Sequence, residues 1–327
     1  MTTLHNLTPF AARASPSVDG EGRDVLVVCV AGTFIMDEPP RVAHEQVAPP
    51  LEDVYWGEPG GSSLRVEGQT AYFRPGTDIY LEGFAWTDRG RPEERSIVDV
   101  RVGSCRVAAS ITGERRWTRG LAGLRSSAPQ RFTQLPLRYE YCAGGPDDPR
   151  NPVGRGYASA RAAEGQALPA IEAMDSPCER WEDRPPPVGF GPIARHWQPR
   201  LGFAGSYDSQ WVEQRAPLWP ADFDPRFFNA AAPGLVADTG LVGDELVRLA
   251  GVSPDGPIAF RLPRFRLRST LQRRRGRTRQ AMAMDALALA PEDRRFTMVW
   301  RTAFVVTGDW LDLECVFVRA VEPWEAS

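Results

Sequence analysis

Four carboxylates in an aromatic-rich stretch have the residue types of a glycosidase acid–base pair: Asp208, Glu213, Asp222 and Asp224. Glycosidases commonly place two carboxyl groups roughly 5–10 Å apart around the glycosidic bond that they hydrolyse. Asp224, however, directly precedes Pro225 and therefore has the position of a helix N-cap. Acidic residues beside turns are also common, so a carbohydrate- or peptidoglycan-acting hydrolase with paired carboxylates is kept only as the alternative interpretation.

Several catalytic and cofactor classes are excluded by composition. The chain contains no lysine, so all 39 of its basic residues are arginine, and Schiff-base chemistry, pyridoxal phosphate anchoring and a phosphate-loop lysine are impossible. No G-x-S-x-G motif is present. The string GFGPIA at 189–194 fits the loose dinucleotide pattern, but three prolines precede it and Pro192 lies inside it. We therefore predict no catalytic residues and no cofactor, and we expect that the protein is not an enzyme.

The histidines and cysteines are too scattered to predict a metal site. His5, His44 and His196 have no partner at helical or hairpin spacing, and the five cysteines form no C-x-x-C pair. The cysteines are interpreted as reduced thiols of a cytosolic protein. The N-terminus lacks the pattern of a secretory signal, and no apolar run approaches the ~20 residues of a membrane helix. We expect a cytoplasmic protein that binds neither a metal nor a membrane.

Arginines concentrate between positions 264 and 279. The cluster consists of Arg264, Arg266, Arg268, Arg273, Arg274, Arg275, Arg277 and Arg279. The planar guanidinium group suits phosphate, but a solvated strand face with a charged hairpin tip is the commoner outcome. A formal net charge of −3 also opposes strong nucleic-acid affinity. We expect no nucleic-acid partner, and an acidic protein surface is the favoured partner for these charges.

Strand patterns dominate the chain. Apolar, β-branched or alternating runs separated by turn residues predict strands at Asp24–Ile35, 71–73, 78–86, 96–102, 106–112, 258–262, 264–270, 278–290, 296–306 and 311–320, with an edge strand at best at 132–141. Short helices are predicted at 206–214, after Asp224, and at 244–250. The fold class is therefore mainly β (a β-rich α+β protein), with antiparallel strands in two packed strand-rich parts, short helices and long Pro/Gly-rich loops.

Composition shifts suggest the domain organisation. We predict an N-terminal arm at 1–22, an N-terminal β-rich part at 23–142, a loop-rich connector at 143–192 and a C-terminal part at 193–327. A single integrated domain is also permitted by this length.

The block 185–233 combines large aromatic rings with frequent prolines. The prolines forbid one continuous helix, and each ring can bury roughly 150–250 Å², so the block is either a structural keystone or a recognition surface. The residues assigned to one or other of these roles are Trp197, Arg200, Tyr207, Asp208, Trp211, Arg215, Trp219, Asp222, Phe223 and Asp224.

The same block carries a family resemblance. The run GFGPIARHWQPRLGFAGSYDSQWVEQRAPLWPADFDPRFFNAA resembles the bacterial family of domain of unknown function 2169. Further stretches fit in the same order: VAGTFIMD, PPLEDVYWGEPGGSSLR, YFRPGTDIYLEGFAWTDRGRP, VRVG, GERRW, VSPDGPIAFRLP and ALAPEDRRFTMVWR. The resemblance covers about 24 to 306. One departure is Ala31-Gly32-Thr33-Phe34, where the family commonly has lysine-alanine-threonine-phenylalanine.

The resemblance implies a protein-binding function rather than a catalysed reaction. Members of this family lie beside genes of the type VI secretion system, and the family has no established catalytic residues. It implies an adaptor or chaperone that binds an effector protein, a PAAR-like tip or the valine-glycine-repeat spike protein, and that helps to load the effector onto the spike. We therefore expect a cytoplasmic, protein-binding role, in which the aromatic block supplies either structure or the contact surface.

Overall fold

A computed structural model describes residues 2–121, 123–156 and 163–321 of the chain. The strands are β1 (Thr3–Asn6), β2 (Ala11–Val18), β3 (Asp24–Ile35), β4 (Arg41–Val42), β5 (Val54–Tyr55), β6 (Leu64–Val66), β7 (Thr77–Leu81), β8 (Phe84–Trp86), β9 (Arg95–Val102), β10 (Cys105–Thr112), β11 (Trp117–Gly120), β12 (Gly123–Ser126), β13 (Gln134–Pro136), β14 (Ala143–Gly144), β15 (Arg155–Gly156), β16 (Ile171–Ala173), β17 (Val236–Ala237), β18 (Leu246–Ala250), β19 (Ile258–Arg261), β20 (Leu267–Arg273), β21 (Arg277–Ala281), β22 (Ala283–Ala290), β23 (Arg295–Val305) and β24 (Leu313–Ala320). The α-helix is α1 (Ser209–Gln214), and short 3₁₀ helices occur at Asp88–Gly90, Tyr139–Tyr141, Arg200–Phe203, Pro225–Phe228, Pro291–Asp293 and Trp310–Asp312.

The largest sheet contains strands from both ends of the chain. Its order is β17-β7-β22-β23-β3-β2, and β4 pairs with part of β3. β3 has the bounds predicted from sequence, and ten of its twelve residues are buried. A strand covered on both faces is apolar throughout rather than alternating, which explains the run VLVVCVAGTF. The sheet joins strands from both sides of the predicted connector at 143–192.

Two smaller sheets complete the core. The four-stranded sheet has the order β1-β24-β20-β21, and the five-stranded sheet has the order β16-β10-β9-β18-β19. One continuous cluster of buried side chains links the three sheets, with Val30 and Trp300 from the largest sheet, Val100 and Val247 from the five-stranded sheet, and Leu271 and Val316 from the four-stranded sheet. The mainly β, mainly antiparallel fold class is confirmed. Parallel pairing in the described chain is confined to β1–β24, β7–β22, β14–β15 and isolated bridges.

Several predicted elements are corrected. The helix predicted at 244–250 is wrong, because Leu246–Ala250 is strand β18. Val247 and Leu249 are buried while Arg248 is exposed, which is the two-residue period of a strand. The strand predicted at 71–73 is an irregular segment, and the strand predicted at 264–270 begins only at Leu267.

Two further segments differ from the prediction in their strand pairing. The predicted strand at 278–290 is divided between β21 in the four-stranded sheet and β22 in the largest sheet. The predicted arm at 1–22 contains β1, which pairs with β24, and β2, which pairs along β3.

Candidate functional site

The aromatic block divides into a buried part and an exposed loop. Phe190, Ile193 and Trp197 lie in the main core, with at most 5% of each residue exposed. The following stretch, residues 201–226, is mostly exposed or half-buried and includes α1; we call it the aromatic loop. Trp197, which precedes position 200, therefore lies in the core, whereas the candidate residues after Arg200 lie in the aromatic loop.

Trp197 is a core residue. Its ring meets the buried ring of Tyr139 edge-on, with centroids 5.6 Å apart. The same tyrosine ring lies against the backbone of Gly189, where a Cβ atom would be 2.1 Å from the ring. The first glycine of the GFGPI motif is therefore explained by close packing against Tyr139.

Arg200 joins the two ends of the aromatic loop to the protein. Its side chain is 3% exposed. Nε donates a hydrogen bond to the carbonyl oxygen of Phe227 at 2.8 Å, and Nη1 donates to that of Ile193 at 2.8 Å. Nη2 bonds the carboxylate of Glu67, which is also buried. A planar group with five donors can make all of these contacts at once.

Two further buried arginines, Arg301 and Arg74, bond to Gln69 beside the largest sheet. Arg301 of β23 pairs with Asp285 of β22 and donates to the side-chain oxygen of Gln69 at 2.6 Å. Arg74 donates to the same oxygen at 3.1 Å and to the carbonyl oxygen of Phe228 at 3.0 Å. These bonds hold the segment around Gln69 and the end of the aromatic loop against the sheet.

Asp78 on β7 holds the segment that follows the aromatic loop. Its carboxylate accepts hydrogen bonds from the side chain of Asn229 at 3.0 Å and from the backbone N–H groups of Ala230 at 2.9 Å and Ala231 at 3.3 Å. The Tyr80 hydroxyl also donates to it, at 2.7 Å. Burial, with Asp78 beside it, raises the pKa of Tyr80 well above its usual value, so this donor stays protonated.

The buried charges balance by sign. Arg74, Arg200 and Arg301 face Glu67, Asp78 and Asp285, and we call these six residues the ionic base. Charges this deeply buried are retained only when they are paired. Single buried atoms of Glu67, Arg74 and Asp285 have no hydrogen-bond partner among the described residues.

Half-buried rings cover the ionic base. Trp219 contacts Phe223, Phe228 and Tyr72, with centroids 4.5, 5.4 and 5.8 Å apart. Arg215 donates to the carbonyl oxygen of Trp219 at 2.9 Å and forms an ion pair with Glu21 at 3.1 Å. A cavity of about 130 Å³ lies between these rings and the ionic base; it is lined by Ser17, Val18, Glu67, Thr70, Ala71, Tyr72, Arg195, Arg200, Trp219, Phe227 and Phe228.

The predicted short helix is present as α1. Asp208 is its N-cap and accepts from the backbone N–H of Trp211 at 2.9 Å. The indole N–H of Trp211 donates to the carbonyl oxygen of Leu218 at 2.8 Å, and Tyr207 packs edge-on against the same indole at 4.8 Å. Trp211 therefore holds the helix to the rest of the aromatic loop.

The remaining carboxylates have local structural partners. Asp222 accepts from the backbone N–H and the hydroxyl of Ser206 at 3.0 and 2.8 Å, and these bonds lower its pKa. Asp224 caps the 3₁₀ helix Pro225–Phe228 as predicted, and its bond to the Arg226 side chain lowers its pKa. A general acid at neutral pH needs a raised pKa. Neither Asp222 nor Asp224 therefore has the electrostatics of that role.

Apolar side chains project from the aromatic loop into solvent. Leu201, Tyr207 and Val212 are 46%, 58% and 62% exposed. Their neighbours in the loop are held by caps and hydrogen bonds, so these side chains stand on an ordered backbone. This arrangement can bind an apolar surface of another molecule.

The described chain offers neither a cluster of metal ligands nor a membrane-spanning helix. Across residues 2–121, 123–156 and 163–321, no group of three His, Cys, Asp or Glu side chains is placed to hold a metal ion. Among the helices of the described chain, none is long and apolar enough to cross a membrane.

The geometry defines a β-sheet protein that carries an ordered aromatic loop on a buried ionic base. A family model described as an uncharacterized protein conserved in bacteria, DUF2169, matches residues 21–301, and the chain belongs to this family. Comparison with curated proteins and with solved structures gives no match.

Most residues of the ionic base are not among the candidate residues predicted from the sequence. Of its six members, only Arg200 was among the candidate residues. A signal was present in the strands. Asp78 and Asp285 are the single charged residues of TDIYL and AMDALALA, and Arg301 is the one charged residue inside RFTMVWRTAFV, whose other arginine is its first residue. A charge in such a run is buried unless the strand is at an edge, and a buried charge requires a partner.

Proposed function

We propose that the protein is a non-enzymatic adaptor or chaperone of the type VI secretion system. In this proposal it binds an effector protein, a PAAR-like tip or the valine-glycine-repeat spike protein in the cytoplasm and helps to load the effector onto the spike. Membership of the DUF2169 family supports the proposal, together with the resemblance that associates this family with secretion genes.

The observation that carries the proposal is the contrast within the aromatic loop. Its two ends are held by the buried Arg200, while Tyr207 and Val212 stay exposed. Ordered apolar side chains lose little conformational entropy on binding, and aromatic residues are enriched at the centres of protein interfaces. The exposed side chains would cover an apolar surface of the effector or tip until it reaches the spike.

The test is a binding assay with the neighbouring spike-locus proteins, co-expressed with the full chain. The double variant Tyr207→Ala/Val212→Ala should reduce the recovered complex by about tenfold, the loss expected for a pair of central contacts. The matched control is Leu7→Ala/Val242→Ala, because these side chains are also exposed, at 66% and 65%, but lie outside the aromatic loop. The control should leave the complex unchanged, and all variants should keep the wild-type melting temperature.

Two results would overturn the proposal. The first is that no spike, tip or effector protein of the locus is recovered with the wild-type chain. The second is hydrolysis of a glycan or of peptidoglycan by the purified protein that is lost in Asp222→Asn or Asp224→Asn. That second result would support the alternative hydrolase.

A further inference from the structure

The four-stranded sheet ends in an exposed, arginine-rich strand. β21 is the last strand in the order β1-β24-β20-β21, and within the described chain no strand pairs with its other side. A hairpin turn connects β20 to β21, as predicted for the arginine cluster. Gly276 in this turn has a φ of 88°. Arg274, Arg275, Arg277 and Arg279 are all exposed on this turn and strand.

The hydrogen-bond register shows which backbone groups of β21 face outward. The N–H of Arg273 bonds the carbonyl oxygen of Gly276, and the N–H of Met282 bonds that of Leu267. Bonded and non-bonded pairs alternate along an antiparallel ladder, so Thr278 and Gln280 point their backbone groups toward β20. The N–H and C=O groups of residues 277, 279 and 281 therefore point away from β20, at the open edge.

The charges on this edge have no acidic partner among the residues that the structure describes. Arg274, Arg275, Arg277 and Arg279 form no ion pair and no side-chain hydrogen bond within the part of the chain that the structure describes. The chain as a whole has a formal net charge of −3, so this concentration of positive charge is local. A second copy of the same edge would bring like charges together, which disfavours self-pairing.

We propose that β21 binds an extended acidic segment of a partner protein as an added strand. The outward N–H and C=O groups would form the ladder, which is the usual basis of β-strand addition. Arg277 and Arg279 lie two residues apart and share one face of the strand. Acidic residues at alternate positions of the added strand would lie opposite them, with Cβ atoms about 5 Å apart, and guanidinium–carboxylate pairing is specific in geometry.

This surface is separate in sequence from the aromatic loop and extends the proposed function by a second contact. It requires a partner segment in which Asp or Glu alternates with other residues. Arginines on an edge also prevent aggregation, but that role alone predicts no preference among acidic peptides.

The experiment measures binding of two labelled peptides to the full chain at physiological salt. One peptide alternates glutamate with threonine, and the other contains the same residues with the glutamates in one block. The alternating peptide should bind at least about tenfold more tightly, because only it places every carboxylate on the arginine face. An unlabelled single-stranded oligonucleotide is the competitor that tests for binding by charge alone, and it should compete poorly.

Variants separate charge from strand addition. Arg277→Gln/Arg279→Gln should weaken binding of the alternating peptide by about tenfold, as expected for the loss of two charge pairs. The matched control is Arg131→Gln/Arg248→Gln, because these exposed arginines also have no ion pair in the described chain but lie outside β21. Arg279→Pro should weaken binding by a further fivefold relative to Arg279→Gln, because proline removes an outward N–H without breaking a bond to β20.

The proposal is overturned if the alternating peptide does not bind at about 1 mM, the upper end of a useful affinity. It is also overturned if the block peptide or the oligonucleotide binds equally well, or if Arg279→Pro behaves as Arg279→Gln with an unchanged melting temperature. None of these results bears on the aromatic loop, whose assay uses different variants.

Discussion

The guanidinium group of Arg200 contacts both the backbone and the ring of Phe227. Its Nε donates to the Phe227 carbonyl oxygen at 2.8 Å, and its carbon Cζ lies 5.5 Å from the centre of the Phe227 ring. Position 200 precedes the aromatic loop and position 227 follows it. The loop is therefore closed at its base by one buried side chain, which limits how far its exposed tip can move relative to the sheets.

Removing the Arg200 charge should strongly destabilise the protein. In Arg200→Met the Glu67 carboxylate, 2% exposed, loses the charge that bonds it most closely. Breaking a buried pair on one side costs about 3–5 kcal/mol of the free energy of unfolding. Urea denaturation followed by tryptophan fluorescence measures this loss.

The matched control for that variant is Arg119→Met. Arg119 pairs with Glu164 on the surface, where the two side chains are 65% and 51% exposed, so its loss should cost less than about 1 kcal/mol. Equal losses in Arg200→Met and Arg119→Met would contradict the role of the ionic base.

The two glycines of the GFG motif should respond differently to alanine. At Gly189 a Cβ would be 2.1 Å from the buried Tyr139 ring, whereas at Gly191 the nearest atom would be the Leu64 carbonyl oxygen at 3.9 Å. Gly189→Ala should therefore prevent stable folding or lower the free energy of unfolding by about 3 kcal/mol, as overpacked cores do. Gly191→Ala should remain within about 0.5 kcal/mol of wild type. The melting temperatures of the two variants give the comparison, and a tolerated Gly189→Ala would show that the motif is not needed for packing.

Substitutions of Trp219 and Tyr207 should distinguish a side chain that stabilises the fold from one that is available for binding. Trp219 packs against three rings, so Trp219→Ala should lower the free energy of unfolding by about 2 kcal/mol, less than for a fully buried tryptophan. Tyr207 is 58% exposed, and Tyr207→Ala should change it by less than about 1 kcal/mol. Differential scanning calorimetry of both variants tests this order; a larger loss for Tyr207→Ala would place its ring in the fold rather than at a contact surface.

The free energy of unfolding at acid pH should depend in part on the ionisation of Asp99. A hydrogen bond from Arg101, helped by a second from Arg106, lowers the pKa of Asp99 from 3.8 to about 2. A lowered pKa stabilises the folded state above the unfolded-state pKa, and this stability disappears as the pH falls from about 4 to about 2.

The comparison is between wild type and Asp99→Asn in urea denaturation across this range. The variant should be less stable at pH 7, and the difference should vanish as the pH approaches 2. Asp255→Asn is the control, because Asp255 is exposed and forms no ion pair in the described chain. A difference between wild type and Asp99→Asn that is independent of pH would contradict the electrostatic explanation.

Local signals in the sequence were sufficient for several elements. The twelve-residue run at Asp24–Ile35 predicts β3 with correct bounds, because a strand buried on both faces is apolar throughout. Asp224 before Pro225 predicts a capped helix start, because capping involves only neighbouring residues.

The ionic base could not be predicted from local signals. Arg301 bonds Gln69, more than two hundred positions away, and those segments meet through long-range strand pairing, of β7 with β22 and of β22 with β23. The wrong helix prediction at 244–250 has a related cause. Leu246–Ala250 is too short for its hydrophobic period to distinguish a helix from a strand, and its pairing with β9 and β19 determines its conformation.

The pairing of β3 with β23 also affects how the chain is made. Ile35 pairs with Arg295 and Val25 with Val305, so the most apolar strand meets its principal neighbour only after the intervening chain, from 36 to 294, has been made. At roughly 5–20 residues per second, β23 follows β3 off the ribosome by about 10 to 50 s. In the described chain, the other strands that pair with β3 are β2 and β4. A fragment that ends before β23 lacks the strand that pairs along the whole of β3, and we expect such a nascent chain to expose apolar surface and to be prone to aggregation.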